Sequence, residues 1–206
     1  MLDLSNNNAT GHEFKKAYAK GGQRRVYLKR CQGVHFVDTT YPTLRRSALA
    51  AKLRVGAYDY LEPLKSTPAE AAQYLLKLIA TPLVRDRDLR PALDCEYKSP
   101  STQVGKWIAD TARIVTREIG VKPLIYGSGW WLEACAFRSA PGPLWLAAYG
   151  RDDGREYPID KVPSPWKTCA AHQYTSKGQV IGINGRCDIS HVFLPGSIEV
   201  PKQLAL

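Results

Sequence analysis

The alternation of short apolar runs with helical stretches constrains the fold of this 206-residue chain more than any other feature. Eight runs have the length and composition of strands, and each of the first five is followed by a helical stretch. Strands that alternate with helices are typically parallel, and eight of them can close into a barrel. We therefore expect an α/β fold, a TIM-like barrel of irregular (βα)5β3 type, with residues 1–206 forming a single domain.

Local signals place these elements along the chain. The clearest is Thr67-Pro68-Ala69-Glu70, a capping box with proline at the first helical position. The predicted strands are residues 2–4, 25–29, 55–60, 91–96, 123–127, 144–149, 168–174 and 186–189. The predicted helices are residues 13–20, 43–53, 67–79, 99–119 and 130–135.

The charge and the apolar content of the chain limit its partners. The net charge of +10 comes from 29 basic and 19 acidic residues spread along the chain. This charge fits nucleic acid or a bacterial envelope rich in phosphate and carboxylate. Because no nucleic-acid-binding motif accompanies it, we expect no nucleic-acid partner. No apolar run is long enough to span a bilayer, and the first residues lack the basic region of a secretory signal.

The chain has five cysteines, an odd number, and none has Cys-x-x-Cys spacing. Buried free thiols in a protein made in a reducing compartment have this pattern. We expect no metal site and no cofactor.

Residues 91–96, Pro-Ala-Leu-Asp-Cys-Glu, read as a buried strand that ends in two carboxylates. Side chains alternate along a strand, so Asp94 and Glu96 face one way and Cys95 faces the other. Each carboxylate raises the cost of ionising its neighbour. The pair therefore suits acid/base chemistry in which one carboxyl stays protonated and the other charged. The alternative is an exposed strand end without a chemical role.

The active sites of such barrels lie at the carboxyl ends of the strands. Polar residues stand at these positions: Asp3, Gln32, Tyr60, Asp94 with Glu96, Tyr126, Tyr149, Gln173 and Asp188. Tyr58 and Trp145 stand on the same strands, where such rings are more often part of the core than a surface that binds a ligand. Clustered acids and aromatic faces indicate a cleft that cleaves sugars, because aromatic rings stack on the sugar and acids protonate the glycosidic oxygen.

These motifs, in this order, make the chain resemble glycoside hydrolase family 25 lysozymes of the phage endolysin type. The resemblance covers nearly the whole chain. Its pieces are Asp3-x-Ser5, Val26-Tyr27-Leu28-Lys29, Gln32-Gly33, Val37-Asp38-x-x-Tyr41, Gly56-Ala57-Tyr58, Leu93-Asp94-x-Glu96, Ile125-Tyr126, Leu144-Trp145-Leu146-Ala147-x-Tyr149, Gln173-Tyr174, Gly178-x-Val180-x-Gly182 and Gly185-x-Cys187-Asp188.

The resemblance implies hydrolysis of the β-1,4 bond between N-acetylmuramic acid and N-acetylglucosamine in bacterial peptidoglycan. It implies that Glu96 is the general acid and that Asp94 stabilises charge near the anomeric carbon, with Asp3 and Asp188 lining the cleft. The residues that we expect to bind substrate are Gln32, Tyr58, Tyr60, Tyr126, Trp145, Tyr149 and Gln173. The implied mechanism retains configuration, with the substrate's 2-acetamido group favoured as nucleophile over Asp94.

Two positions depart from the family pattern. Members often have Tyr-His-Phe on the third strand, where this chain has Tyr58-Asp59-Tyr60. They often have Trp before the Gln-Tyr pair, where this chain has His172. These changes affect the expected subsite contacts and leave the acids in place.

Other functions remain as alternatives. A non-catalytic barrel that binds peptidoglycan or chitin-type sugars would be marked by loss of the acid, and Glu96 is present. Chitinase-type barrels carry a longer run of alternating acids than this chain has. We further expect a monomer that is made in the host cytoplasm without a signal peptide and acts on the cell wall after release.

Overall fold

A computed structural model of the chain describes residues 1–79 and 82–200. The strands in this part are β1 (Leu2–Leu4), β2 (Arg25–Gln32), β3 (Phe36–Val37), β4 (Arg54–Tyr60), β5 (Ala92–Asp94), β6 (Leu124–Ser128), β7 (Leu144–Ala147), β8 (Ala171–Gly178) and β9 (Cys187–Val192). The helices are α1 (Phe14–Ala19), α2 (Tyr41–Ala50), α3 (Pro68–Leu78), α4 (Thr102–Ile119), α5 (Gly129–Ala134) and α6 (Pro195–Ile198).

Eight of these strands form a closed barrel, which confirms the expected fold. The order around the barrel is β1-β9-β8-β7-β6-β5-β4-β2, and pairing of β1 with β2 closes it. The short β3 adds to the edge of β2. The barrel strands from β1 to β8 are parallel to their neighbours, but β9 is antiparallel to both β8 and β1. The expectation of parallel strands is wrong for β9, because residues 179–186 are too short a connection for the crossover that a parallel neighbour needs.

The side chains of the barrel form two apolar layers. On β2, Val26 and Leu28 pack between the barrel and the helices, whereas Tyr27 points into the barrel. Inside the barrel the Trp145 ring lies 4.9 Å, centroid to centroid, from both the Tyr27 and the Tyr126 rings. These aromatic rings fill the interior toward the amino ends of the parallel strands, so the carboxyl ends are left for polar side chains.

Local signals fix the helices around this core. The predicted capping box is present, since Thr67 Oγ1 accepts from the Glu70 N–H at 3.2 Å and the Glu70 carboxylate accepts from the Thr67 N–H at 2.8 Å. Helix α2 begins at Tyr41, earlier than predicted, because Pro42 is tolerated in a first turn that needs no N–H donor. Among residues 1–79 and 82–200, no helix has the length and apolarity to cross a membrane.

The close approach of two strands inside the barrel predicts the effect of one substitution. A Cβ at Gly56 would lie 2.1 Å from the ring of Tyr27, which is fully buried. We expect Gly56→Ala to lower the free energy of unfolding by about 1–3 kcal/mol, measured by urea denaturation. At the control position Gly129, the nearest atom to a new Cβ is 3.9 Å away. Gly129→Ala should stay within about 0.5 kcal/mol of wild type. Equal effects of the two variants would contradict this packing.

Candidate active site

A polar cavity of about 590 Å³ opens at the carboxyl ends of the parallel strands. Four carboxylates line it: Asp3, Asp94, Glu96 and Asp188. Five tyrosines add aromatic surface: Tyr58, Tyr60, Tyr97, Tyr126 and Tyr149. Its volume and its mixture of acids and rings suit a ligand with many hydroxyl groups and flat apolar faces.

The segment that follows β5 places the two central acids. Strand β5 ends at Asp94, so Glu96 lies beyond the strand that the sequence predicted to include it. The segment is tied to its neighbours, because the Cys95 N–H donates to the Tyr126 carbonyl at 2.9 Å and Trp131 Nε1 donates to the Lys98 carbonyl at 3.3 Å. Both acids reach the cavity, while the Cys95 side chain packs between the barrel and the helices.

The reversed direction of β9 brings the other two acids together. Asp3 on β1 and Asp188 near the start of β9 are paired residues of an antiparallel ladder. A parallel β9 would present its last residues at the cavity, but the antiparallel strand presents its first. Asp188 therefore lies at the end of the barrel where it was predicted, although it stands near the beginning of β9 and not at its end.

Crowding and burial make these carboxyl groups hard to ionise. Burial raises the pKa of Asp94 well above its ordinary value, and Glu96 and Asp3 raise it further. Burial likewise raises the pKa of Asp3, with added repulsion from Asp188 and Glu96. Glu96 is exposed to the cavity, yet the protein packed around its carboxyl group raises its pKa. Burial and the charge of Glu96 raise the pKa of Asp188 to about 6.

A buried lysine that the sequence reasoning missed offsets part of this negative charge. The Lys29 side chain lines the cavity and is only 8% exposed. Its ammonium donates to Gln32 Oε1 at 2.9 Å and lies 5.0 Å from the centre of the Tyr60 ring. Its charge lowers the pKa of Asp94 and of Glu96. Alternation along β2 could have found it, because Lys29 stands two residues after inward-facing Tyr27.

Two of the residues predicted to bind substrate do not line the cavity. Trp145 is 1% exposed, and its indole N–H donates to Ser190 Oγ at 2.9 Å within the barrel. The ring is therefore part of the core and not of the cavity wall. Gln173 is also 1% exposed and lies beneath two of the tyrosines, with which it forms hydrogen bonds. The other predicted site residues line the cavity.

The cavity also contains loop residues that were not predicted. Ser5, Asn7 and Asn8 come from the loop that follows β1, and Tyr97 follows Glu96 directly. Position alone could have indicated them, because each lies just beyond the carboxyl end of a strand. Among the described residues, no group of three or more His, Cys, Asp or Glu side chains is arranged to hold a metal ion.

Comparison with known proteins identifies the family. The model for glycosyl hydrolases family 25 matches residues 2–183. The chain belongs to this family. The match includes three of the cavity acids, Asp3, Asp94 and Glu96, and ends shortly before Asp188.

The relatives of this family 25 chain include lysozymes. Lysozyme M1 of Streptomyces globisporus is 27% identical over 184 residues, which cover 81% of this chain and 59% of the relative. A family GH25 lysozyme from Aspergillus fumigatus is 26% identical, with a TM-score of 0.78 over 98% of this chain and 94% of that one. A lysozyme from Streptomyces coelicolor has the same fold, with 24% identity and a TM-score of 0.83 over 93% and 90%. The chain spans about half to three-fifths of the length of the curated relatives it matches.

The raised pKa of Asp188 predicts a dependence of stability on pH. Its pKa is about 6 in the folded protein, against about 3.9 in an unfolded chain. The folded state holds this proton more tightly, so the stability it contributes is complete below about pH 4 and is lost as the pH rises to about 6. Asp188→Asn should therefore gain about 1–3 kcal/mol in free energy of unfolding, relative to wild type, between pH 4 and pH 8.

Urea denaturation of wild type and Asp188→Asn at the two pH values measures this difference. The matched control is Asp160→Asn, at an exposed position outside the cavity. A difference between wild type and Asp188→Asn that is the same at pH 4 and pH 8 would contradict the raised pKa.

Proposed function

We propose that this protein is a peptidoglycan hydrolase, a lysozyme of the N-acetylmuramidase type. It would cleave the β-1,4 bond between N-acetylmuramic acid and N-acetylglucosamine in the bacterial cell wall. The observation that carries this proposal is the meeting of Asp3, Asp94, Glu96 and Asp188 around one cavity in a family 25 barrel. The lysozyme names of the relatives support the same activity.

Glu96 is the proposed general acid. It is exposed to the cavity, and its raised pKa favours the protonated form that an acid needs. Asp94 is the proposed stabilising carboxylate. Its Oδ1 atom is buried and has no hydrogen-bond partner among the described residues, so it can accept from the 2-acetamido N–H of a sugar. Such a bond favours ionised Asp94 and leaves the proton of the crowded pair on Glu96.

The reaction then proceeds in two steps. Glu96 gives its proton to the glycosidic oxygen as the bond from that oxygen to the anomeric carbon breaks. The 2-acetamido carbonyl oxygen attacks the anomeric carbon from the opposite face and forms a cyclic oxazolinium ion. Ionised Glu96 takes a proton from water, the water oxygen attacks the same carbon, and the ring opens with the original configuration retained. Negative Asp94 stabilises the positive charge that develops in both steps.

Substitution of the proposed acid tests the assignment. On purified peptidoglycan, wild type should release new reducing ends at N-acetylmuramic acid, identified by mass spectrometry. Glu96→Gln should lower the rate of release by about 10²–10⁴-fold, because the amide cannot supply the proton. The matched control Glu118→Gln, at an exposed position on α4, should behave as wild type.

Three results would contradict the proposed function. Reducing ends at glucosamine would indicate another glycosidase, and cleavage of amide bonds would indicate another class of hydrolase. The absence of any new ends with wild type would leave a barrel that binds the sugar without cleaving it.

The charge of Lys29 predicts a shift in the pH profile. Lys29→Met removes the cation that favours ionisation of Glu96 and Asp94. Glu96 should then keep its proton to higher pH, so the alkaline limb of kcat/KM should move upward. Lys29→Arg keeps the charge and is the matched control. Rates on solubilised glycan chains across the pH range give both profiles, and an unmoved alkaline limb in Lys29→Met would contradict this role.

A further inference from the structure

Gln173 connects residues from separate strands beneath the cavity. It lies on β8 and is 1% exposed. Its Oε1 atom accepts from the hydroxyl of Tyr126 at 2.6 Å and from the hydroxyl of Tyr149 at 2.6 Å. Its Nε2 atom donates to Asp3 Oδ2 at 3.4 Å. One buried amide therefore contacts three side chains that line the cavity.

The number of available protons determines what the two tyrosines offer a ligand. Each hydroxyl has a single proton, and the amide oxygen has two lone pairs to accept both. The two hydroxyl oxygens are 3.4 Å apart, much farther than the 2.6 Å from each to Gln173. Both protons are thus directed at Gln173 rather than at the neighbouring tyrosine. The oxygens of Tyr126 and Tyr149 are left with only lone pairs for the cavity.

The orientation of the amide follows from its third partner. The nitrogen end of Gln173 faces the carboxyl group of Asp3, which can accept from it. In the reverse orientation the amide oxygen would face the Asp3 carboxyl oxygen, a contact that is repulsive whenever Asp3 is ionised. The amide N–H groups would then donate to the two tyrosine oxygens and leave the hydroxyl protons free for the cavity. The contact with Asp3 therefore favours the orientation in which the oxygen faces the tyrosines.

We infer that Gln173 is a positioning residue that holds Tyr126 and Tyr149 as a pair of hydrogen-bond acceptors, so that this wall of the cavity binds a donor group of the glycan. The donor is a sugar hydroxyl or an acetamido N–H, so the edge of the sugar that carries this donor faces the two tyrosines. This inference rests on the proposed function for its substrate. Gln173 itself touches no ligand, because its side chain is buried below the rings.

Substitutions of equal length test the role of the amide oxygen. Gln173→Met keeps the length of the side chain and removes its hydrogen bonds, so both hydroxyl protons become free to turn toward the cavity. We expect kcat/KM on solubilised glycan chains to fall about 100-fold, because the donor group of the substrate then meets misdirected hydroxyls. Gln103→Met, at an exposed position on α4, is the matched control and should behave as wild type.

Gln173→Glu should rescue activity in a pH-dependent way. Its carboxyl oxygen can accept both tyrosine protons in either protonation state, so its kcat/KM should exceed that of Gln173→Met by about tenfold. When protonated it also donates to Asp3, so activity should approach that of wild type toward acid pH. If Gln173→Met does not fold, the comparison of Gln173→Glu with wild type still tests the role of the amide oxygen. A Gln173→Glu variant that folds but stays about 100-fold below wild type at every pH would overturn the inference.

A double-mutant cycle separates this role from simple packing. In a background of Tyr126→Phe with Tyr149→Phe, Gln173 has no hydroxyl to hold, so Gln173→Met should add less than about a twofold further loss. Losses that multiply fully would overturn the inference. A wild type that cleaves no glycan would instead refute the proposed function, so the two failures are distinguishable.

Discussion

Four carboxyl groups and one ammonium group share the mouth of the barrel, and their charges govern what this site can do. Placed apart in water, all four acids would be ionised at neutral pH. Burial and mutual repulsion oppose that state for Asp3, Asp94 and Asp188, and packing has the same effect on Glu96. The ammonium group of the buried Lys29 side chain, which lines the same cavity, offsets one negative charge. The balance favours a protonated acid beside a charged one, which glycosidic cleavage requires.

The barrel supplies the geometry for this balance. The reversal of β9 pairs Asp188 with Asp3, and the segment after β5 carries Glu96 past the end of its strand. Below them the ring of Trp145 fills the interior and keeps the polar groups at the mouth. Gln173 lies between these layers and connects Tyr126 and Tyr149 to Asp3 through hydrogen bonds. The same alternation along each strand produces the apolar interior and the polar cavity.

The sequence predicted the barrel and most of the cavity because both follow from alternation along strands and from the end at which parallel strands stop. It could not predict the direction of β9, which depends on the short connection from β8. It assigned Trp145 to the cavity because a pattern shows which face a side chain takes, but not its depth along the barrel axis. Alternation puts Lys29 on the same face as Tyr27, but a lysine is almost always exposed, so the pattern alone does not assign Lys29 to the interior. The single-domain organisation, the monomeric state and the place of action stay predictions.

The structure of Glu96→Gln with a bound tetrasaccharide of alternating N-acetylglucosamine and N-acetylmuramic acid tests the central claim most directly. The account predicts that the glycan lies in the cavity, with the oxygen that links N-acetylmuramic acid to the next sugar about 3 Å from the side-chain amide at position 96. The acetamido N–H of that N-acetylmuramic acid should face Asp94. A glycan bound elsewhere on the barrel, or a linking oxygen beyond the reach of position 96, would contradict it.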